Sequence, residues 1–401
     1  MAISLTVALG FGMIIPVFPT FARSFGVGLA AIGLVQLVFG FTRFSFGIVG
    51  GLLVDRFGDR ACTMAGLLIV SLSSYAVGFA DSFTQLVLAR GFGGAGSAFF
   101  IAGLQTRILR IIEPASMGRA TGIFASSFLV GIAVGPPLGG FVGELLGTVA
   151  VFHIYATGLI LATAIAWFVM AGAARDIEAE RKRPIEALRA ARPLFRDRRY
   201  VVALLATFVG WWTISGPAQT VGVVFAKEVL GFSSSTRGLA FVLLAVGELL
   251  ILFVSGRAAD RYGRRAVLIP SLVVTTFGLV ALGQAESAPW TFFVVMLILG
   301  GGIAAGRTAA GGLLADSIPK GGSGAAVGVN QMAGDLGAMT SPTAIGFIAE
   351  TASYGSAYVV AAVPAAAVLV AAVRLSRGPE VGADEEPVPA ETNPEPGITS
   401  L

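Results

Sequence analysis

Uninterrupted apolar segments recur along the whole chain, separated by short polar connections. A helix of about 20 apolar residues is long enough to cross the hydrocarbon core of a bilayer. The segments lack the alternation of polar and apolar residues that is typical of membrane β-strands. Because helices satisfy their own backbone hydrogen bonds in lipid, the pattern predicts an all-α polytopic membrane protein.

Twelve spans are predicted, in two groups of six. They lie at 1–22, 30–54, 61–80, 84–107, 117–143 and 149–172, and at 200–226, 237–257, 264–283, 289–314, 323–348 and 355–375. Residues 1–172 and 200–375 are therefore expected to form two six-helix bundles. The linker 173–199 is charged and cannot span, and the acidic, Pro-rich tail 376–401 is expected to be disordered.

Composition and charge support a membrane protein. Only 12% of the 401 residues are charged, compared with about 25% in soluble domains. Of the 27 Lys and Arg residues, 21 fall on one side of the predicted topology, against Arg23, Lys227 and Arg237 on the other. This bias places both termini in the cytoplasm and explains the net charge of +4 without a nucleic-acid partner. Cys62 is the only cysteine, so an internal disulfide is excluded.

Two motifs occur twice at nearly the same spacing. Gly51-x-x-x-Asp55-Arg56-x-Gly58 follows span 2, and Gly256-x-x-x-Asp260-Arg261-x-Gly263 follows span 8, about 205 residues later. A second motif, Pro-x-x-x-Gly-Phe-x-x-Glu, ends at Glu144 in span 5 and again at Glu350 in span 11. The repeats predict two parallel halves related by a pseudo-two-fold axis, with a cavity between them.

With these motifs the chain resembles the major facilitator superfamily, and in particular its 12-span drug/proton antiporters. The loop pattern is met by Gly51, Asp55, Arg56 and Gly58 and again by Gly256, Asp260, Arg261, Gly263, Arg264 and Arg265, with Asp59 as the one departure. A span 4 pattern is met by Leu86, Arg90, Gly94 and Gly96, and a span 5 antiporter pattern by Gly122, Gly131, Gly135, Pro136, Gly139 and Gly140. The resemblance implies the family's fold, a monomer, export by exchange, and a role for Arg90 in proton transfer or substrate contact.

The loop motif is expected to act as a conformational latch. Asp55 faces the same water layer as the positive end of span 11, and Asp260 stands in the same relation to span 5. The alternative is a charge cluster that only marks a cytoplasmic loop. In span 5, Gly131, Gly135 and Gly139 are spaced four apart, which permits close contact with another helix. They serve either a transport role or packing alone.

Five ionisable residues fall in the middle of predicted spans, where charge is costly and indicates function: Arg43, Arg90, Glu248, Arg307 and Asp335. Asp335, beside Asn330 and Gln331, is the first candidate for proton coupling and Glu248 the second. In the family that the chain resembles, spans 2 and 11 meet across the halves, as do spans 5 and 8. The resemblance therefore implies that Arg43 faces Asp335, and a fixed ion pair that never titrates is the alternative. Glu248, at the position equivalent to Arg43, is expected to face span 5 or Arg307.

A substrate cavity is expected between the halves. Its candidate lining residues are Arg43, Arg307, Asn330, Gln331, Trp211, Trp212 and Gln219. Arg307 can bind an anionic group of the substrate, or it can serve an ion pair or helix packing. Trp211, Trp212 and Gln219 of span 7 can line a pocket suited to cations or planar rings, or they can pack against lipid. Glu144 and Glu350, at outer span ends, are expected to be solvated.

Together these features predict a proton-driven antiporter of the cytoplasmic membrane that exports a small amphipathic compound. Its partners would be lipid, protons and the solute. The proton gradient would supply the energy, and no cofactor or metal is expected. One rival is a permease for a single metabolite or sugar, and another is a receptor or scaffold that does not transport. An enzyme is excluded, because one His and one Cys leave no catalytic or metal-binding cluster.

Overall fold

The computed structural model describes residues 2–111, 117–171, 192–318 and 323–374. Within these ranges the side chains at 2, 48–49, 51–52, 55, 109–110, 117–126, 128–129 and 323–325 are not described. Most of the predicted linker and all of the predicted tail therefore lie outside the described residues.

A helix stands at each of the twelve predicted spans. In the first half they are Ala2–Ile14 with Phe18–Arg23 (span 1), Leu29–Phe57 (span 2), Asp59–Gly78 (span 3), Phe83–Ile111 (span 4), Met117–Leu145 (span 5) and Thr148–Val169 (span 6). In the second half they are Arg198–Thr213 with Ile214–Val221 and Gly222–Glu228 (span 7), Ser234–Tyr262 (span 8), Arg264–Leu282 (span 9), Trp290–Ser317 (span 10), Ser323–Thr351 (span 11) and Tyr354–Arg374 (span 12). A single 3₁₀ turn, Arg192–Arg196, precedes span 7. The predicted all-α fold of two six-helix halves is confirmed.

Spans 1 and 7 are irregular at pseudo-equivalent places. Span 1 breaks between Ile14 and Phe18 around Pro16, which cannot continue the backbone hydrogen bonding of a helix. Span 7 widens into a π-helix at Ile214–Val221, which contains Pro217. Local π-helix is often found at functional sites.

The two halves meet through spans 2 and 11 and through spans 5 and 8. A Cβ at Gly33 on span 2 would overlap the backbone of Pro342 and Thr343, and one at Gly40 would lie 2.8 Å from Cβ of Met339. Further along the same spans, a Cβ at Gly47 or at Gly328 would meet no atom within 4 Å. Spans 2 and 11 therefore touch at one end and separate toward the other.

Spans 5 and 8 follow the same course. A Cβ at Gly140 would lie 2.5 Å from the Ser234 carbonyl oxygen, whereas one at Gly256 would meet nothing within 4 Å. We call the end where the halves touch the closed end. The opposite end, which carries the two charged loop motifs, is the basic end.

The buried core agrees with this division. One apolar cluster joins both halves and includes Phe18 and Phe152 of the first half with Phe225 and Tyr358 of the second. A second cluster, around Tyr200 and Leu268, draws its buried residues from the second half alone. Apolar packing therefore seals the closed end, while the halves pack separately elsewhere.

Candidate functional site

Arg43 and Asp335 form an ion pair across the two halves. Nη2 of Arg43 lies 2.6 Å from Oδ1 of Asp335, and Gln331 donates from Nε2 to the same oxygen at 3.3 Å. The two charged side chains are 33% and 24% exposed. The pair lies between the contact at Gly40 and the gap at Gly47, so its geometry depends on how the halves are arranged.

Glu248 and Arg307 form a second embedded pair, within the second half. Nη2 of Arg307 lies 3.0 Å from Oε1 of Glu248, whose side chain is 10% exposed, while that of Arg307 is 56% exposed. Of the two partners expected for Glu248, the structure places it with Arg307. Because spans 8 and 10 belong to one half, this pair does not depend on the arrangement of the halves.

Arg90 is buried and has no carboxylate within 4 Å among the described residues. It is 3% exposed, and its guanidinium carbon lies 5.1 Å and 4.7 Å from the ring centroids of Phe18 and Phe39. Its Nε has no hydrogen-bond partner. Cation–π contacts offset only part of the cost of burying a charge. This uncompensated cation in a span is consistent with a functional role.

A small, partly open cavity lies between spans 7, 9 and 10. Trp211 and Arg307 line it together with mainly apolar side chains, and Arg307 is the only charged residue among the described lining residues. The Trp211 ring also packs over Gly334, next to Asp335, since a Cβ there would lie 2.6 Å from Cδ1. All of its lining residues belong to the second half, so this is not the cavity that was expected between the halves.

Five of the seven predicted cavity residues are not part of this lining. Arg43 and Gln331 contact Asp335 instead. Trp212 stacks on Phe208 and donates from Nε1 to the Ala361 carbonyl of span 12, so it packs inside its own half. Asn330 accepts from Thr207, which ties span 11 to span 7. Gln219, in the π-helix, is half-buried away from the cavity. The expectation of a pocket shared by Trp211, Trp212 and Gln219 is corrected to Trp211 alone, because helix rotation turns adjacent residues to different faces.

Both copies of the loop motif make the same tight turn at the basic end. Gly58 and Gly263 have φ of +85° and +87°, a conformation that residues with a Cβ rarely adopt. Asp260 pairs with Arg264 of the same loop, and Nε of Arg264 lies 3.5 Å from Asp316 at the end of span 10. Asp260 is 72% exposed in this arrangement. Arg56 and Arg261 lie over the neighbouring rings of Phe57 and Tyr262.

The latch predicted at the basic end is therefore not engaged by Asp260 in this structure. The side chain of Asp55 and the first side chains of spans 5 and 11 lie outside the described set. Gly51 and Gly256 lie on the last turns of spans 2 and 8. A Cβ at Gly256 would meet no atom within 4 Å, which agrees with halves that are separated at the basic end.

Asp59, the one departure from the loop pattern, is buried rather than free. It is 5% exposed, and its Oδ2 lies 3.4 Å from Nη1 of Arg107, itself 7% exposed, on span 4. Arg107 also donates to the Met170 carbonyl at the end of span 6. An acidic residue at this position thus joins three spans of the first half.

The glycines of span 5 lie against span 1. A Cβ at Gly135 would lie 2.5 Å from the Leu9 carbonyl oxygen, and one at Gly139 would overlap the Met13 backbone. Gly131 contacts Ala8 and Leu9 in the same way, and the Pro136 ring lies near Gly12. Gly140 instead faces Ser234 of span 8, across the halves. Gly122 lies among residues whose side-chain surroundings are not described.

Polar contacts cross between the halves at the closed end. Arg23 donates from Nε to Oε1 of Glu228 at 2.9 Å. Tyr354 donates to the other Glu228 oxygen at 3.1 Å. Arg237, buried on span 8, donates from Nε to the Pro16 carbonyl of span 1 at 3.3 Å.

Glu144 and Glu350 also bond across this end, which the sequence did not indicate. Oε2 of Glu144 accepts from the Ser235 backbone N–H at 3.0 Å and from the Ser233 hydroxyl at 3.1 Å. Oε2 of Glu350 accepts from the Ala30 backbone N–H at 3.4 Å. Both side chains are exposed, as expected, and each also accepts a hydrogen bond from the other half. The repeated motif that ends at each Glu was the available signal.

A sequence profile described as Major Facilitator Superfamily matches residues 1–233 and 212–399. The multi-drug resistance efflux pump PmrA of Streptococcus pneumoniae is 22% identical over 86% of this chain and 87% of that protein. The class C tetracycline resistance protein of Escherichia coli is 27% identical over 87% of each. Multidrug resistance protein 1 of Bacillus subtilis is 30% identical, over 38% of this chain and 40% of that protein.

Solved structures share the fold. The nucleoside transporter NupG aligns with a TM-score of 0.74 at 12% identity, covering 93% of this chain and 98% of NupG. A bacterial homologue of the human lysosomal transporter Spinster aligns with a TM-score of 0.68 at 20% identity, covering 93% of each chain. At such identities the similarity concerns the fold alone.

Proposed function

The chain belongs to the Major Facilitator Superfamily, and from this premise we propose that it exports small amphipathic compounds across the cell membrane by proton antiport. The relatives named as multidrug and tetracycline resistance proteins support efflux. The basic end, where Lys and Arg concentrate, would face the cytoplasm, so the described conformation is open inward. The protein would act as a monomer and use the proton gradient without a cofactor.

The observation that carries the coupling proposal is the Arg43–Asp335 ion pair. It joins the halves at the level where spans 2 and 11 begin to separate. A rearrangement of the halves must change this contact, and protonation of Asp335 removes the charge that holds it. Proton binding and the arrangement of the halves are therefore linked, as alternating access requires.

The cavity beside Trp211 and Arg307 suggests the class of solute. Its lining is mainly apolar, with one aromatic face and one guanidinium, and half of the Arg307 side chain is exposed despite its bond to Glu248. The proposed solute therefore carries a planar apolar part and an anionic or hydrogen-bond-accepting group.

Transport in proteoliposomes under an imposed pH gradient tests the proposal. A panel of anionic, neutral and cationic aromatic compounds is offered to wild type, Asp335→Asn and the control Asp81→Asn, whose carboxylate lies on an exposed loop. We expect uphill movement of an anionic compound in wild type and control, and at least about tenfold less in Asp335→Asn. If the compounds only equilibrate across the membrane whether or not a pH gradient is imposed, a permease is favoured. If Asp335→Asn transports uphill as well as wild type, Asp335 is not the coupling residue.

A further inference from the structure

Glu144 and Glu350 occupy equivalent positions in the two halves and make equivalent contacts. They are 206 residues apart, and the backbone groups that they accept from, Ala30 and Ser235, are 205 apart. Each carboxylate stands at the end of a span of one half and bonds the second residue of a helix of the other half. Two contacts related by the pseudo-two-fold axis are not expected from chance proximity of exposed side chains.

The partner in each contact is the N-terminus of a long helix. The first N–H groups of a helix have no partner within it, and they carry the positive end of the helix dipole. Ser235 is the second residue of span 8, and Ala30 is the second residue of span 2. A carboxylate is therefore a favourable partner at both places, and each contact joins the two halves.

The sequence around each helix start fits the incoming carboxylate differently. Ser233 donates its hydroxyl to Glu144 at 3.1 Å. The equivalent residue, Gly28, has no side chain, and a Cβ there would overlap the Glu350 carboxylate. Ser233 thus adds a hydrogen-bond donor for Glu144, and Gly28 leaves space for the Glu350 carboxylate.

A cation also lies on the helix side of each site. Arg237, three residues after the start of span 8, attracts Glu144, and Arg23, just before span 2, interacts with Glu350. Both cations also bind across or along the closed end, Arg23 to Glu228 and Arg237 to the Pro16 carbonyl. The two carboxylates therefore belong to a charged network that holds the halves together at this end.

We propose that Glu144 and Glu350 form a two-part latch that holds the closed end shut, and that both contacts break each time this end opens. These are positioning residues of the transport cycle, since they touch no solute cavity. The proposal rests on the alternating-access part of the proposed function and not on the identity of the solute. Both contacts act on one equilibrium, so their effects combine.

The latch is tested by measuring the opening of the closed end directly. Spin labels are placed at two exposed positions of the closed end, Thr84→Cys on the first turn of span 4 and Glu286→Cys on the loop between spans 9 and 10. Their separation is measured by pulsed electron resonance in nanodiscs, in a Cys62→Ser background. Glu144→Gln with Glu350→Gln removes both charges and keeps the side-chain size. Asp81→Asn, at the same end, is the matched control.

We expect the doubly substituted protein to raise the ratio of long to short separations by about threefold or more over wild type, because each contact to a helix start favours closure by a factor of a few. The control should leave the ratio unchanged. An unchanged ratio in the double variant would overturn the latch, as would an equal change in the control. If wild type shows both separations and the variants do not alter them, the latch fails while alternating access stands.

A second pair of variants removes the donors instead of the acceptors. Ser235→Pro and Ala30→Pro delete the backbone N–H that each carboxylate accepts from, at first-turn positions where a helix tolerates proline. These variants keep both carboxylates, so they separate the helix contact from a general effect of charge. The latch requires that they raise the long separation in the same direction as the Gln variants, and an unchanged ratio would contradict it.

Discussion

The guanidinium of Arg43 on span 2 lies 2.6 Å from the carboxylate of Asp335 on span 11. The two residues are 292 positions apart in the chain. Gln331 holds the same carboxylate oxygen from one helical turn away. The contact is partly exposed on both sides, so water and protons can reach it from the open end. A site of this kind is suited to a charge that changes during a cycle.

Removing either partner of this pair should uncouple transport from the proton gradient. With Arg43→Gln, Asp335 loses its charged partner in the other half, so the proposed link between proton binding and the arrangement of the halves is broken. We expect at least about tenfold loss of gradient-driven transport, with passive exchange of solute retained. Counterflow measured beside uphill transport in the same vesicles checks this, and equal loss of both would indicate misfolding instead.

Trp211 should determine affinity for aromatic solutes more than the rate of turnover. Its ring is 43% exposed and lines the cavity beside Arg307. Because stacking on one aromatic face is worth about 0.5–1.5 kcal/mol, Trp211→Ala is expected to raise the KM about three- to tenfold. Trp290→Ala, at an exposed helix start, is the control and should leave the KM unchanged.

Arg307 should stabilise the fold through Glu248. The Glu248 carboxylate is 10% exposed, and losing its cation leaves a nearly buried charge. Because the Arg side chain is half exposed, the cost is discounted to about 1–3 kcal/mol. We expect Arg307→Gln to lower the melting temperature, and Glu248→Gln added to it to restore part of the loss. Additive losses in this double-mutant cycle would argue against the pair.

The sequence predicted the spans, because hydropathy carries that information. The facing of Arg43 and Asp335 was predicted from the family resemblance, in which spans 2 and 11 meet. It could not place Trp212, since the rotation of a helix that is apolar on all sides is set by packing. It also did not reveal that Glu144 and Glu350 bond helix starts. Those contacts join residues of different halves, and no local sequence pattern indicates which helix start lies opposite each Glu.

Asp59 illustrates the same limit at the basic end. In the sequence it looks like a missing basic residue, which weakens the first loop motif. In the structure it bonds Arg107 of span 4, a partner 48 residues away whose orientation no pattern specifies. The residue that departs from the family pattern therefore supplies the carboxylate that pairs with the buried Arg107.

The contact between span 5 and span 1 should tolerate no added carbon at Gly139. A Cβ there would overlap the Met13 backbone, which cannot move like a flexible side chain. Overpacking of this kind costs about 1–3 kcal/mol, so Gly139→Ala should lower the melting temperature by several degrees. Gly158→Ala on span 6, where a Cβ would meet only a Thr6 methyl carbon at 3.7 Å, should be neutral. Equal stability of the two variants would show that span 1 is free to shift.

Restoring the family's basic residue at position 59 should harm this protein. Asp59 lies in the first turn of span 3, where a negative charge suits the helix dipole, and it pairs with Arg107 in a buried site. Asp59→Arg would place two guanidinium groups together, and loss of a buried pair costs about 3–5 kcal/mol. We expect a marked fall in folded yield and melting temperature, measured in detergent.

The exchanged pair separates charge pairing from other effects at this site. Asp59→Arg combined with Arg107→Asp restores opposite charges and should recover part of the lost stability, although Arg then stands at a helix start where a cation is unfavourable. Asp81→Arg, an equal charge reversal on an exposed loop, should change the melting temperature little. If Asp59→Arg were as stable as wild type, the Asp59–Arg107 contact would not be what holds spans 3 and 4 together at the basic end.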